Sequence, residues 1–535
     1  MFSFAVIIGV YSYIIFFLGV AGLLFKNYVF ITSLVYIGIS FFLLRNKISI
    51  CFGRVKNFFS VKDKLSLSLT SLIIVQVLVN FIGVLGPEIS FDALWYHLTL
   101  PKIYILNHGI FHIPGNLLYY SDMPKLTEML YIPSLMFSNE ITAKLIHFSF
   151  GILVLVVLYR LSRRYFSKSL SLLVLIIFYS NLVVEWESVT AYVDLARTFF
   201  EISALLAFII WVEEKKTKLL IYSAVILGFA IASKVIALES LLIFLTLFLA
   251  QLFIYREPIL KQIKNMVIFI FFSILVPLPW FIFSFLNTKN PLYPFFDSRI
   301  NIGTNFVFPN ILNFPKDFLS LLIFSSDPIS PLYLIMFPLL IILFTKVKNN
   351  IKLVYVYSLL ALILWYLTPR IGGGRFVLPY LPAFSLVTVY CINLISSKKL
   401  KFFLISIALI ISLSSIGYRF IANERYIPVI LGRQTKTEYL TKHLNFSFGD
   451  FYDTDNYFKS HIKNTDRVLL YGFHNLYYVD FPFTDSSYVK KGETFNYIAL
   501  QNTSLPGRFN SWNLVYYNPI THVKLYSMGG EKWVY

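Results

Sequence analysis

Apolar runs long enough to cross a lipid bilayer recur along most of this 535-residue chain. A membrane-spanning helix needs about 20 mostly apolar residues. Only 14% of the residues are charged, whereas a soluble domain carries about 25%. Because backbone polar groups in lipid must be satisfied within the segment, such runs predict helices. The sequence therefore predicts a polytopic α-helical membrane protein.

Thirteen apolar runs predict about thirteen transmembrane helices. They cover approximately Phe4–Leu24, Phe30–Leu44, Leu65–Leu85, Ile141–Leu158, Leu170–Val184, Leu195–Val212, Leu219–Ser233, Ile236–Tyr255, Met266–Leu286, Pro331–Phe344, Leu353–Leu367, Phe376–Ile395 and Phe402–Phe420. The first run lacks the basic start of a signal peptide, and a second run follows it closely. We therefore predict a spanning helix there rather than a cleaved leader.

The formal charge of +19 does not predict a nucleic-acid partner, because the basic residues stand in short clusters between the apolar runs. Clusters of this kind are typical of cytoplasmic loops under the positive-inside rule. The segment RNKISICFGRVKNFFSVKDK, between the second and third runs, places the N-terminus in the cytoplasm. The alternation that follows places the C-terminus outside.

Composition divides the chain into three predicted parts. Residues 1–64 hold two N-terminal helices and a basic loop, and residues 65–421 form a membrane core with polar external loops at 86–140 and 287–330. From about residue 422 the apolar runs shrink to strand length in RVLLYG, YYVDFPF, FNYIAL and HVKLYSM. The segment YDTDNYFKSHIKN has the pattern of an amphipathic helix. Residues 422–535 therefore predict a small external α/β or α+β domain.

Unusual polar residues collect on the predicted outer face. The segment Pro87–Met136 is too polar for its backbone to face lipid, so it must lie at the membrane surface or in a cavity. Ionisable residues at membrane depth are functional candidates. The candidates on this face are Asp92, His97, Glu128, Glu185, Glu187, Asp194, Lys234, Arg370 and Arg375.

Some of these candidates also have an ordinary structural explanation. Asp92 and Asp194 precede apolar helices, where Asp is a favoured N-cap residue. Lys234 has no acidic neighbour in the sequence closer than Glu239, and its side chain could extend to the membrane interface. Both explanations stay open at this point.

Arg375 follows three consecutive glycines in TPRIGGGRFVLPYLPAF. Gly372, Gly373 and Gly374 would let the backbone approach a ligand closely, and the planar fork of an arginine suits a phosphate. The alternative is an anchor at a helix end.

No side-chain pattern predicts a metal site or a disulfide. His97, His108 and His112 are loosely spaced, which disfavours a site built from histidines. Cys51 falls in a basic loop and Cys391 in an apolar run. We predict no metal ligand and no certain cofactor, with a divalent metal left as an alternative.

Five sequence blocks carry a resemblance to a known superfamily. They are FDALWYHLTLPKIYI with MPKLTEMLY, AYVDLARTFFEISALLAF, GFAIASKVIAL, PWFIFSFLNTKNPLYPFF and GGRFVLPYLPAF. In this order they resemble the GT-C superfamily of membrane glycosyltransferases. Within it they resemble the phospholipid-carrier-dependent branch related to protein O-mannosyltransferases and the lipid A aminoarabinose transferase. The blocks run over about Glu88–Leu440.

The resemblance implies roles for particular residues. Asp92, the leading acid of the first block, would be the catalytic base, and Lys234 and Arg375 would bind the phosphate of the donor. Asp194, in the second block, would orient the acceptor or hold Arg197 or Lys234. The residues predicted to bind substrate are Asp194, Tyr96, His97, Glu128, Arg197 and Tyr293.

The implied activity is transfer of a hexosyl or pentosyl group from a polyprenyl phosphate to a lipid, glycan or protein at the external membrane face. In-line attack by the acceptor would invert the anomeric configuration. The implied partners are the lipid-linked donor, the acceptor and membrane lipids. The implied location is the bacterial cell (inner) membrane, with the C-terminal domain periplasmic or external.

Two departures from the family pattern limit this interpretation. Two extra spans precede the first block, and Asp92 is followed by Ala93 rather than by Glu, which leaves metal use and the acceptor type open. The alternative function is a carrier or flippase for lipid-linked sugars, although the broken segments here lie at the outer end rather than near mid-membrane. A third alternative is an assembly subunit that keeps the fold without activity.

Overall fold

A computed structural model of the chain describes residues 2–59, 63–297, 309–368, 373–529 and 532–535. Over residues 46–59 it describes the backbone alone. Residues 298–308 of the predicted second external loop lie outside the described residues, as do Arg370 and Gly372.

Helices follow one another through most of the chain. The first group is α1 (Phe2–Val20), α2 (Lys26–Phe59), α3 (Lys64–Val84), α4 (Thr99–Leu106), α5 (Tyr131–Phe137), α6 (Glu140–Ser162), α7 (Lys168–Tyr179), α8 (Leu182–Glu187), α9 (Asp194–Glu214) and α10 (Thr217–Ser233). The second group is α11 (Leu238–Ile254), α12 (Ile259–Leu275), α13 (Leu278–Thr288), α14 (Phe314–Ile323), α15 (Tyr333–Ile342), α16 (Asn349–Leu367), α17 (Leu381–Leu394), α18 (Lys398–Glu424), α19 (Ile427–Ile430), α20 (Lys436–His443) and α21 (Tyr457–His461).

Each of the thirteen predicted spans coincides with a helix or with two consecutive helices. Among the described residues, eight helical segments are long and apolar enough to cross a membrane, and the bent pair α12 and α13 makes a ninth. Four shorter apolar helices correspond to the remaining runs. The polytopic helical fold is thereby confirmed, and the number of crossings stays a prediction.

The helices differ in how deeply they are packed. In α9, 94% of the apolar window is buried inside the protein, whereas in α2 only 6% is buried. Helix α9 is therefore the central helix of the bundle, and α2 presents its apolar surface outwards. Asp194, the first residue of α9, stands at the end of the most enclosed helix.

The basic segment predicted as a loop after the second span is helical instead. Helix α2 continues through it to Phe59, and α3 begins at Lys64. The side chain of Asp63 caps α3 by accepting a hydrogen bond of 2.7 Å from the amide of Ser66. The segment can continue the helix because it lacks proline and contains several Lys and Arg residues, which are strong helix formers.

The first external loop is a compact structure packed on the bundle. After α3 it forms one turn of π-helix at Ala93–His97, then α4, two short 3₁₀ turns and α5. The carboxylate of Glu88 holds its start, because it accepts hydrogen bonds from the amides of Ile89 and Ser90 at 2.9 and 2.8 Å. Its other oxygen accepts from the amide of Ala191 at 2.6 Å. Glu88 thus joins the segments that precede Asp92 and Asp194.

The C-terminal region forms a five-stranded mixed sheet. Its strands are β1 (Val468–Tyr471), β2 (Phe483–Asp485), β4 (Tyr497–Gln501), β5 (Asn513–Tyr517) and β6 (Val523–Ser527), and a second, two-stranded sheet pairs β3 (Thr494–Phe495) with β7 (Trp533–Val534). The order is β2-β1-β4-β6-β5, with β1 parallel to β2 and β4, and β6 antiparallel to β4 and β5. A small strand-containing C-terminal domain is thereby confirmed.

The predicted strands of this domain are located with uneven accuracy. RVLLYG and HVKLYSM coincide with β1 and β6, but YYVDFPF becomes a strand only at its last residue, Phe483. The predicted amphipathic helix is reduced to the five residues of α21. Strand β5 was not predicted, because its exposed sequence NLVYY lacks the alternating pattern of a half-buried strand.

The C-terminal domain is joined to the first external loop by polar contacts of Lys102 and Tyr477. The ammonium of Lys102, in α4, donates to the carbonyls of Tyr477 and Val479 at 2.7 and 2.9 Å and to Asp480 at 2.5 Å. The amide of Tyr477 donates to the carbonyl of Leu94 at 3.3 Å. These contacts place the domain directly over the π-helical turn.

We expect Gly228→Val to destabilise the bundle, because a Cβ at Gly228 would lie 2.5 Å from Cβ of Val276 and 2.8 Å from the carbonyl oxygen of Ser273. Overpacking of this kind costs about 1–3 kcal/mol. The melting temperature of the detergent-purified protein measures the effect. Gly417→Val is the matched control, since no described atom lies within 4 Å of a Cβ there. Equal losses in the two variants would contradict the proposed close packing of α10 on α12.

Candidate active site

Asp92 stands at the start of the π-helical turn, where two residues reach its carboxylate. Its Oδ2 accepts hydrogen bonds from Nη1 of Arg375 at 2.8 Å and from the hydroxyl of Tyr96 at 3.1 Å. The amide of Asp92 donates to the hydroxyl oxygen of Tyr192 at 3.1 Å. The Asp92 side chain caps no helix, so the N-cap explanation is wrong for this residue.

The guanidinium of Arg375 lies at the centre of three carboxylates. Besides Asp92, its Nη2 donates to Asp194 at 3.3 Å, and its Nε lies 3.1 Å from Glu187, an ion-pair distance without hydrogen-bond geometry. The ring of Tyr192 covers one face of the guanidinium, with its centroid 4.4 Å from Cζ. A planar, always charged fork is the side chain best suited to hold several carboxylates at once.

Lys234 and Asp194 form a second ion pair beside Arg375. Nζ of Lys234 lies 2.6 Å from Oδ1 of Asp194. The pair joins the end of α10 to the start of α9, and the side chain of Asp194 does not cap α9. The N-cap explanation for Asp194 and the interface explanation for Lys234 are therefore wrong. Asp92, Glu187, Asp194, Lys234 and Arg375 are called the charge cluster below.

Exposure divides the charge cluster into two layers. The side chains of Asp92, Arg375 and Lys234 are 18%, 19% and 22% exposed, whereas those of Asp194 and Glu187 are fully buried. The first three side chains can therefore touch a ligand directly. The two buried carboxylates hold the cations from behind.

The carboxyl groups of the charge cluster differ in their ionisation. Burial disfavours the charge of Asp92, but the nearby cations, chiefly Arg375, hold the pKa of Asp92 below its usual value. Burial raises the pKa of Glu187 well above its usual range, and the negative charge of Asp194 raises it further. Of the two buried carboxyl groups, Asp194 therefore keeps its negative charge more readily than Glu187, because the cations of Lys234 and Arg375 both pair with it.

The position of Arg375 is fixed through its backbone. Its amide donates to Oδ2 of Asp327 at 2.9 Å, and the amide of Gly374 donates to the carbonyl of Asp327 at 3.0 Å. A Cβ at Gly374 would lie 2.3 Å from that carbonyl oxygen, and a Cβ at Gly373 would lie 1.6 Å from Oγ of Ser325. The described glycines therefore permit close approach to the protein's own loop after α14, rather than to a ligand as the sequence suggested.

His97 and Glu128 form a buried pair beneath the charge cluster. Nδ1 of His97 lies 2.8 Å from Oε1 of Glu128, and each side chain is 3% exposed. The rings of Tyr96 and Tyr192 lie 4.2 and 5.4 Å from the imidazole. Among the described residues, Nε2 of His97 and Oε2 of Glu128 have no hydrogen-bond partner. The pair supports Tyr96 and Tyr192, which touch the charge cluster.

Among the residues predicted to bind substrate, Arg197 and Tyr293 have partners away from the charge cluster. Arg197 is buried inside the bundle, where its Nε lies 2.6 Å from Glu201 and its Nη2 donates to Tyr380 at 3.2 Å. Asp194 therefore holds Lys234 and not Arg197. Tyr293 is buried in the turn after α13, where its amide donates to the carbonyl of Asn290 at 3.3 Å.

Three residues of the site were not assigned from the sequence. Glu187 belongs to the acidic segment EWESVTAYVD, so its outer position was recognised but its contact with Arg375 was not. Tyr192 in the same segment could have been suspected only as an aromatic partner for a cation. Asp327 gives no sequence signal, because it approaches Arg375 through a loop 48 residues away in the chain.

The described residues contain no group of three or more His, Cys, Asp or Glu side chains placed to hold a metal ion. Of the loop histidines, His112 pairs with Asp122 at 2.6 Å, while Nδ1 of His108 lies 3.3 Å from the carbonyl of Leu24. We derive no step through a metal.

Comparison with known proteins places this geometry in context. A family profile described as dolichyl-phosphate-mannose-protein mannosyltransferase matches residues 131–282, which include Asp194 and Lys234. The crystal structure of ArnT from Cupriavidus metallidurans bound to undecaprenyl phosphate superposes with a TM-score of 0.59 at 10% identity, covering 86% of this chain and 97% of that chain. The chain has the GT-C fold of ArnT. The resemblance stated from the sequence blocks is thereby confirmed.

The other comparisons add less. The apo structure of the same ArnT gives a TM-score of 0.57 at 10% identity, covering 87% of this chain and 98% of that chain. The S. cerevisiae protein O-mannosyltransferase Pmt1-Pmt2 complex bound to the sugar donor gives a TM-score of 0.31 at 17% identity, covering 44% of this chain and 35% of that chain. This TM-score is too low to support an argument about the fold. No curated protein sequence matches significantly.

We expect Glu187→Gln and Asp194→Asn to differ in stability. Because burial holds the pKa of Glu187 high, its neutral amide should leave the melting temperature almost unchanged. Asp194→Asn removes the buried charge opposite Lys234 and Arg375. Its cost should be about 2–3 kcal/mol, below the ~3–5 kcal/mol of a fully buried pair because the cations are partly exposed. Equal melting temperatures for the two variants in detergent would contradict this charge assignment.

Proposed function

We propose that the protein is a glycosyltransferase that moves a sugar from a polyprenyl phosphate donor to an acceptor at the external membrane face. The observation that carries this proposal is the accessible carboxylate of Asp92, held 2.8 Å from Arg375 with Lys234 in the same cluster. A base beside two cations provides what transfer from a phosphate-linked sugar requires. The fold shared with ArnT and the mannosyltransferase profile support the same activity.

Arg375 and Lys234 bind the phosphate of the donor in this proposal. Both cations are partly exposed, and both are already oriented by buried carboxylates. Charge-assisted hydrogen bonds from a guanidinium and an ammonium are about twice as strong as neutral ones. They would stabilise the negative charge that develops on the leaving phosphate, so that no general acid is needed.

Asp92 acts as the base toward the acceptor. Its Oδ2 is occupied by Arg375 and Tyr96, while its Oδ1 accepts no hydrogen bond from the described residues. The acceptor oxygen or nitrogen attacks the anomeric carbon while its proton passes to Oδ1. The bond from the anomeric carbon to the phosphate oxygen breaks, and the electron pair leaves with the phosphate. Attack opposite the leaving group inverts the configuration.

Donor binding would also raise the basicity of Asp92. In the protein alone, Arg375 is the main group that lowers the pKa of Asp92. A phosphate bound to Arg375 shares that positive charge and so weakens its effect on the carboxylate. The base would then become effective when the donor is in place.

A lipid-linked donor requires an apolar surface for its chain. A groove of about 600 Å³ runs along α1, α2 and α6, lined almost entirely by apolar side chains. Leu130, at its edge, follows Glu128 of the buried pair by two residues. The groove suits a hydrocarbon chain, either of the donor or of a lipid acceptor.

The proposed topology follows from the positions of the cluster residues. Asp92 follows α3, Asp194 begins α9, Lys234 ends α10 and Arg375 precedes α17, so all lie at one end of the bundle. We propose that this end faces the periplasm or cell exterior, with the N-terminus cytoplasmic, in a bacterial inner membrane. The proposed divisions remain 1–64, 65–421 with external loops 86–140 and 287–330, and 422–535.

The transferred sugar is proposed to be a hexosyl or pentosyl group, and the acceptor a lipid, glycan or protein of the cell envelope. A carrier for lipid-linked sugars is the less favoured function, because no specific feature of the structure supports it. Transport requires alternating access around a central site. The charge cluster lies at one end of the bundle. It contains the accessible carboxylate of Asp92, which transport does not need.

We expect Asp92→Asn to abolish transfer while donor binding is retained. Loss of a general base costs about 10²–10⁴ in rate. Membranes supplied with radiolabelled polyprenyl-phosphate sugars report both transferred label and retained donor. Asp63→Asn is the control, since Asp63 only caps α3. Transfer by Asp92→Asn at the wild-type rate would contradict the assignment of the base, and movement of uncleaved donor across the bilayer would favour the carrier.

We expect Arg375→Lys and Lys234→Met to weaken donor binding for different reasons. Lysine keeps the charge at position 375 but cannot reach Asp92 and Asp194 together, so the donor KM should rise by about tenfold or more. Lys234→Met removes one phosphate contact, worth about 1.5–3 kcal/mol for a bond to a charged group. Donor titrations in nanodiscs measure both changes. Unchanged donor KM values in both variants would exclude these two residues as phosphate ligands.

A further inference from the structure

Two loops of the C-terminal domain bring aromatic rings onto the residues that flank Asp92. The ring of Phe91 lies 4.9 Å from the imidazole of His474 and 5.1 Å from the ring of Phe448. The ring of Trp95, one turn further along, lies 4.5 Å from His474. The external domain therefore forms part of the mouth of the candidate active site.

The first external loop extends this surface with tyrosine rings. The ring of Tyr120 lies 5.0 Å from Trp95 and stacks on Tyr119 at 4.2 Å. Tyr120 also stacks at 3.7 Å on Tyr96, whose hydroxyl donates to Asp92. The members of this surface, called the aromatic wall below, are Phe91, Trp95, Tyr119, Tyr120, Phe448 and His474. The rings of Phe448 and Phe91 are 56% and 36% exposed, so the wall faces the exterior.

A chain of hydrogen bonds fixes the tautomer of His474. Oδ2 of Asp450 accepts from the amide of Asn445 at 2.6 Å, and its Oδ1 accepts from Nδ2 of Asn475 at 2.5 Å. The other polar atom of this amide, Oδ1 of Asn475, therefore lies 2.9 Å from Nδ1 of His474 and accepts a hydrogen bond from its N–H. Nε2 of His474 is then an acceptor, and no described residue donates to it.

The backbone turn at Gly449 places His474 in the wall. The amide of His474 donates to the carbonyl of Gly449 at 3.0 Å. Gly449 has a φ of +104°, and a Cβ there would lie 2.9 Å from both Cβ and N of His474. Only glycine combines this backbone conformation with so close an approach. The backbone turn at Gly449 therefore fixes the position of His474.

We propose that the aromatic wall is the binding site for the saccharide of the acceptor, and that the C-terminal domain selects acceptors through Phe448 and His474. This inference rests on the proposed transferase activity. The C–H faces of a sugar ring carry partial positive charge and meet the negative faces of aromatic rings. Nε2 of His474 would accept a hydrogen bond from a sugar hydroxyl. Phe91 and Trp95 flank Asp92 in the chain, so a sugar held on these rings would be near its carboxylate, whose Oδ1 accepts no hydrogen bond from the described residues.

The surroundings of the wall favour a saccharide over the other acceptor classes. A hydrocarbon chain would not use the acceptor atom of His474, and none of the wall residues lines the apolar groove along α1, α2 and α6. A peptide that binds by adding a strand would need a free strand edge, and the wall presents rings instead. Rings together with one oriented polar atom are typical of sites that recognise sugars by shape and a few hydroxyls.

The test uses the full-length protein in nanodiscs with a radiolabelled polyprenyl-phosphate sugar. Three acceptor probes are supplied: a glycolipid with a disaccharide head group, a peptide rich in serine and threonine, and phosphatidylglycerol. Phe448→Ala removes an exposed ring, while His474→Phe keeps a ring and removes Nε2. His461→Ala is the matched control, an exposed histidine of the same domain that stacks on Tyr457.

We expect Phe448→Ala and His474→Phe to raise the KM for the glycolipid by about 3- to 30-fold, the range of one or two aromatic contacts. His461→Ala should leave the KM for the glycolipid and the KM for the donor as in wild type. The inference is overturned if label enters only the peptide or phosphatidylglycerol. It is equally overturned if the glycolipid KM is unchanged in both variants.

A binding measurement separates this inference from the proposed activity. Saturation-transfer NMR with the free disaccharide head group reports contact without turnover. If wild type binds the disaccharide and Phe448→Ala does not, the wall binds saccharides even if no donor is cleaved. If wild type cleaves the donor but the disaccharide receives no saturation from the protein, the transferase activity stands and the saccharide site is rejected.

Discussion

The candidate site depends on one interaction, the contact of the Arg375 guanidinium with carboxylates from three separate segments. Asp92 comes from the first external loop, Glu187 from the end of α8 and Asp194 from the start of α9. The charges of Asp92 and Asp194 would repel one another without the cation, and the cation would be costly to enclose without them. The arrangement explains why a largely enclosed guanidinium can stand at the mouth of an apolar bundle. It also leaves the outer atoms of the site, on Asp92, Arg375 and Lys234, free to meet a ligand.

The sequence alone predicts the helical membrane fold, because each apolar run is long and the runs are separated by charged or polar segments. It also points to Asp92, Asp194, Lys234 and Arg375, since an ionisable residue at membrane depth is costly and is therefore a functional candidate. The resemblance names Arg197 and Lys234 as alternative partners of Asp194, but the sequence does not decide between them, and the structure selects Lys234. Nothing in the chain indicates that Asp327 would hold the backbone of Arg375. Those contacts depend on how the helix ends meet in space.

Local patterns fail where the surroundings override them. The predicted loop after the second span is helical, because strong helix formers continue through it without a proline. In the external domain, YYVDFPF looks like a strand but lies mostly outside the sheet, where Tyr477 and Tyr478 pack against the first external loop instead. In the sequence Arg197 lies only three residues after Asp194, which makes the two an expected pair. One helical turn is enough to carry it from the mouth of the site into the bundle, where it pairs with Glu201.

The contacts of Lys102 bear on how the two parts of the chain fold. Its ammonium has three oxygen partners, and all three belong to the segment Tyr477–Asp480 of the external domain. Without the external domain this ammonium would lose all three oxygen partners and would be hydrated instead. The first external loop therefore gains this set of contacts only when the last quarter of the chain docks on it. Residues far apart in the sequence thus depend on one another for the structure of the segment that carries Asp92.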